Sequence, residues 1–71
     1  MEDYKVRMAN EYKELKERYE KLHKLLVKHD ADTLEFDLNC PVSLLREQET
    51  VMYRYLFLLE VRAQFEGVDL S

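Results

Sequence analysis

Three arginines, Arg7, Arg18 and Arg62, are interleaved with Tyr4, Tyr12, Tyr19 and Tyr55 in a chain of 71 residues, a combination of side chains suited to holding an anion. A planar guanidinium takes a phosphate through two parallel hydrogen bonds, and a tyrosine ring stacks on a base. On that reading Arg7, Arg18, Arg62 and Tyr55 contact a nucleotide-type ligand, in a pocket assembled by neighbouring copies of the chain. The alternative is structural. Tyrosine in a helix seam is core with its hydroxyl at the rim, and Arg62 comes level with Glu11 as its mate within the fold.

A second group, Asp30, Asp32, Glu35, Phe36 and Asp37, sets four carboxylates around one aromatic ring and is a candidate surface for a basic protein partner. Asp30, Asp32 and Leu34 match the start of a helix-loop-helix calcium loop only superficially. Such a loop needs an oxygen ligand fifth, glycine sixth and glutamate twelfth, and Leu34, Glu35 and Pro41 occupy those places. His23 and His29 fall on different helical faces, and the single Cys40 can complete neither a zinc set nor an intramolecular disulfide. A helix N-terminus would lower the Cys40 pKa, yet no histidine adjoins it in sequence to form a dyad. There is no serine elbow or phosphate-binding glycine loop. The chain reads as non-enzymatic, with no catalytic residue, cofactor or metal.

The elements that must position these groups are two helices. Met8, Tyr12, Leu15, Tyr19, Leu22, Leu26 and His29 recur at alternating steps of four and three, which predicts a coiled-coil-like helix over Tyr4 to His29. Its outer face carries Glu14 and Arg18, Glu17 and Lys21, and Glu20 and Lys24, acid before base at four-residue spacing. From residue 30 to 40 the pattern switches: Leu34, Phe36 and Leu38 alternate with acids, as in a short extended connector packed through those three side chains. Pro41 predicts the start of a second helix, capped by Asn39 or Cys40, and Gly67 its left-handed end near Glu66. The tail from Val68 to Ser71 is expected to fray. In the second helix Leu45, Gln48, Met52, Tyr55, Leu59 and Arg62 form the expected seam, facing Tyr4, Arg7, Glu11, Leu15, Arg18, Leu22 and Leu25. The expected architecture is an all-α antiparallel hairpin in one domain, residues 1–71.

Such a hairpin is short of interior. Val51, Met52, Tyr55, Leu56, Phe57, Leu58, Leu59 and Val61 cover more of the second helix than the stripe of about 100° that one partner buries. A chain this short barely offsets its conformational entropy by its own burial. A dimer or higher oligomer is therefore expected, with Val51, Leu58 and Phe65, seven apart, as one interface row. The composition is 46% hydrophobic and 37% charged, with net charge −4. Residues 1–30 carry eight basic against seven acidic side chains and residues 31–71 three against eight, which argues against general nucleic-acid binding. With no apolar run long enough for a bilayer and no leader pattern, a cytoplasmic protein is expected.

Tyr4, Arg7, Glu11, Tyr12 and Leu15, then Cys40, Pro41, Leu44, Leu45, Gln48, Met52, Tyr55, Leu59, Glu60 and Arg62, form an arrangement that resembles a group of short helical-hairpin proteins of tailed bacteriophages and prophages. The resemblance covers nearly the whole chain and is most specific in the second helix. It implies a phage accessory protein in the host bacterial cytoplasm. It also implies an inhibitor of a host anti-phage defence protein, such as a CRISPR-Cas effector, acting by protein contact in an anti-CRISPR manner. The alternatives are an oligomeric sponge for a cyclic-nucleotide defence signal and a structural or assembly protein of the phage.

Overall fold

The computed structural model describes residues 3–70; Met1, Glu2 and Ser71, which complete the expected domain, lie outside the described residues. Two helices, α1 (Asp3–Asp30) and α2 (Val42–Glu66), run antiparallel, and the described residues contain no strand. The result is an all-α hairpin, a rod of 47 × 18 × 17 Å.

The chain breaks at the end of α1 without a glycine. Asp32 adopts φ 60°, its N–H reaches the His29 carbonyl at 3.0 Å, and the Thr33 N–H reaches back to Lys28 at 2.8 Å. These two bonds satisfy carbonyls that the helix end leaves open, and aspartate is among the few side chains that tolerate the left-handed region. At the other end, Gly67 takes φ 67°, and both its N–H and that of Val68 bond the Ala63 carbonyl, as the lone glycine predicted. The start of α2 departs from expectation. Pro41 itself, with φ −60° and ψ 138°, is the cap, and no side chain of Asn39 or Cys40 bonds the first turn.

The core consists of Met8, Tyr12 and Leu15 from α1 against Leu56, Leu59 and Ala63 from α2, with Tyr19 and Met52 packed on it. The α2 seam is therefore rotated from the expected one: Gln48, Tyr55 and Arg62 are exposed, and Leu45, Met52, Leu56, Leu59 and Ala63 face α1. Both sets have heptad spacing, and polarity decides between them. The observed seam buries no polar side chain and admits the small Ala63, whereas the expected one would take an amide and a guanidinium out of water. His29, expected in the α1 seam, is exposed for the same reason.

Two further expectations fail. The connector consists of turns and bends; Leu34 and Leu38 are half-buried, but Phe36 is 59% exposed. The tail is not frayed through its described part, since Val68 and Leu70 pack onto the core beside Tyr12. The Gly67 turn sends the chain back over the open end of the hairpin and gives those two side chains apolar surface to cover.

Candidate functional site

The chemistry-bearing residues lie along two flanks, one uncovered face and the connector. On the first flank Tyr12 donates its phenol hydrogen to Glu60 Oε2 at 2.5 Å. That bond, assisted by burial and by the Glu60 charge, pushes the Tyr12 pKa up to about 12. Further along, the Tyr19 and His23 rings stack with centroids 5.7 Å apart, Tyr53 leans against Tyr19 at 6.0 Å, and His23 Nδ1 lies 2.6 Å from Glu49 Oε2. Between them Lys16, Tyr19, Tyr53 and Phe57 border a groove of about 200 Å³. The sequence pattern gave no weight to Tyr53 or Glu49 and named Glu60 only within the family resemblance, because the expected seam placed the flanks one residue out. Tracing the seam through Leu45, Met52, Leu56, Leu59 and Ala63 would have revealed them.

The second flank carries the arginines. Glu11 does come near Arg62, but it accepts the hydrogen bond of Tyr55 rather than pairing with Arg62. Arg62 Nε is held instead by Glu66 at 2.6 Å, one turn along its own helix. Both outcomes follow from the seam rotation, which leaves Arg62 at the exposed edge of α2, bonded to Glu66 and only within electrostatic reach of Glu11. The Glu11 hydrogen bond raises the Tyr55 pKa above its ordinary value, with burial adding to it. Arg18 is tied loosely to Glu14 at 3.7 Å, and among the described residues Arg7 has no ion-pair partner. Arg7 and Arg18 stand four residues before and seven after Glu11, on the same side of α1 as that carboxylate. Of the three arginines it is Arg62 that lies close enough to Tyr55 and Glu11 to feel their charge, while Arg7 and Arg18 share the Glu11 side of α1.

The third region is the face of α2 turned away from α1. Val51 is 62%, Leu58 47% and Phe65 87% exposed, and Leu44, seven before Val51, extends the same row. The expected interface residues are therefore uncovered by the hairpin.

At the connector the acidic group divides. Asp30 accepts a hydrogen bond from Arg46 on α2, which together with His29 lowers its pKa below the usual aspartate range. Asp32, Phe36 and Asp37 line one open hollow, together with His29 and the exposed Cys40; Glu35 stands outside it. Among the described residues no three His, Cys, Asp or Glu side chains are grouped to hold a metal ion, and no helix is long and apolar enough to cross a membrane.

The fold and these surfaces define a class: a two-helix hairpin too slender to enclose a ligand alone, with one apolar face left bare. The family model Sequestin matches residues 2–65, and the chain belongs to the Sequestin family. That name is compatible with a sequestering or binding role. No curated protein and no solved structure matches the chain.

Proposed function

We propose that this chain is a non-enzymatic sequestering protein that holds a small anionic ligand of nucleotide type, and that it serves a bacteriophage by withdrawing a defence signal from the host. The observation that carries the reading is the exposed Tyr55 ring, bonded to Glu11 on the side of α1 that also carries Arg7 and Arg18, with Arg62 beside it on α2. Arg7 and Arg18 are eleven positions apart, roughly 16 Å along α1, which suits a ligand with more than one phosphate. Each guanidinium takes a phosphate, and a base stacks on the ring. The bond between Arg18 and Glu14 is an exposed contact of about 0.3–0.5 kcal/mol, a small cost for a phosphate to displace. The family name supports the same reading.

Thermal unfolding against a panel of cyclic and linear nucleotides tests it. A ligand at a hundred times its dissociation constant adds roughly 2.7 kcal/mol, a shift of many degrees for a domain of this size. The stabilisation is expected to vanish in Arg18→Ala. No shift with any panel member would overturn the reading.

A second reading, direct inhibition of a host protein such as a CRISPR-Cas effector, is favoured by Phe36, exposed beside Asp32 and Asp37 in the connector. Binding to a basic effector that weakens with salt and is lost in Phe36→Ala supports it; no binding to such effectors at low salt removes it.

A further inference from the structure

The first flank of the hairpin joins rings and carboxylates in one groove. Tyr19, Tyr53 and Phe57 wall it beside the buried Leu56, and α1 contributes Glu20 and α2 Glu60. The Tyr19 and Tyr53 planes are inclined by 42°, so neither ring lies flat on the other's face. The two carboxylates converge on one hydroxyl. Glu60 accepts the Tyr12 hydrogen bond at 2.5 Å, and Glu20 lies near enough to the same phenol for its charge to help raise that pKa. Among the described residues neither Glu20 nor Glu60 has an ion-pair partner. Lys16, the base that lines the groove, sits instead over the Tyr12 ring, 5.8 Å from its centroid. Arg54 lies in the same way over Phe57, at 5.5 Å. The rings of this flank therefore hold cations of the chain's own, while two carboxylates stay uncompensated and the exposed Tyr53 ring carries no cation.

We propose that this groove binds a free linear polyamine, with one ammonium group shared between Glu20 and Glu60 and the methylene chain lying against Tyr53 and Leu56. Charge complementarity sets the sign of the occupant, because a cation relieves the repulsion between the two acids and adds an attraction to the rings. The head group must carry N–H, since the carboxylates offer acceptors that a quaternary ammonium leaves unused. The body must be slender and apolar: the groove holds about 200 Å³, less than the roughly 300 Å³ at which drug-sized sites begin. A second ammonium also finds a place. The groove shares Tyr12, Lys16 and Glu20 with a neighbouring hollow that carries Glu17, so a chain leaving past Glu20 meets another acid. This site takes a charge opposite to that of a nucleotide and lies on the other flank from Tyr55, so each holds whether or not the other does.

The experiment is an NMR titration of the isotope-labelled chain with 1,4-diaminobutane. Saturable shifts are expected at Glu20, Tyr53 and Leu56, and KCl at matched ionic strength should not reproduce them. Tetramethylammonium, which has the charge without the N–H, should bind about threefold more weakly or worse. Glu20→Gln and Tyr53→Ala should each raise the Kd about threefold or more. Both residues are exposed, so both variants keep the hairpin, which their spectra without ligand verify. Glu47→Gln removes the same charge from an exposed position outside the groove and should leave the Kd unchanged. Equal shifts from KCl, equal affinity for tetramethylammonium, or wild-type binding by Glu20→Gln would each overturn the proposal. So would the absence of any shift, the result expected if a second copy or another protein covers the groove. None of these readouts involves a nucleotide, so their failure leaves the ligand reading standing.

Discussion

Leu58 and Leu59 are neighbours in sequence but opposite in burial, so truncating each in turn measures where the α2 seam lies. Leu59 is 2% exposed and Leu58 is 47% exposed in the hairpin. Leu59→Ala removes three buried carbons, about 2.4 kcal/mol of transfer free energy at 0.8 kcal/mol each, and the residual cavity brings the loss to about 3 to 4 kcal/mol. A domain of this length has a total stability of about 4–11 kcal/mol, so much of it disappears. At about 4–8 °C per kcal/mol, Tm should fall by roughly 12–30 °C at every protein concentration. Leu58→Ala behaves differently. In a lone hairpin half of that side chain is already in water and no cavity forms, so the loss is about 1 kcal/mol. Its larger effect should be on association: the wild-type Tm should rise with protein concentration, and in Leu58→Ala that dependence should flatten. Circular dichroism melts across a hundredfold range of concentration read both effects. If Leu58→Ala costs as much as Leu59→Ala in the most dilute sample, the seam has been assigned to the wrong side of α2 and the reasoning is refuted.

Tyr12→Phe deletes the bond to Glu60 while keeping the ring in the core, and should cost about 1 kcal/mol in denaturant unfolding; an unchanged midpoint would show that this contact adds no stability. The pairing of Asp30 with Arg46 predicts a pH dependence. The folded pKa of Asp30 lies below its unfolded value, so the stabilisation is fully present above the ordinary aspartate range and is lost as pH falls through the lowered value. The stability difference between wild type and Asp30→Asn should therefore shrink between neutral pH and pH 3, and a difference that stays constant would remove Asp30 as its source.

Much of the hairpin was legible because its signals are local. The helix lengths, the left-handed Gly67 and the uncovered Val51, Leu58 and Phe65 all follow from spacing and from one glycine. The seam was harder to read. On α2 two heptad tracks one residue apart both carry leucines, and the choice between them rests on whether Gln48, Tyr55 and Arg62 or Leu56 and Ala63 face α1. Desolvation of the polar groups settles it, and weighing that cost would have corrected the Arg62 partner as well. The Asp32 turn was illegible for a different reason: a left-handed aspartate has no spacing signature, and its evidence is the pair of backbone bonds that it closes. The packing of Val68 and Leu70 depends on where the Gly67 turn aims the chain, which no local pattern encodes. The arginine flank was legible in residue types, but Glu66 as the carboxylate that claims Arg62 became visible only with the fold.

The exposed thiol of Cys40 lies just before the first turn of α2, at the connector end of the rod. With one cysteine per chain, oxidation can join chains only two at a time, so ageing without reductant would yield a covalent pair linked connector to connector and nothing larger. The same lone thiol is a ready anchor for one spectroscopic label per chain at a known end of the hairpin.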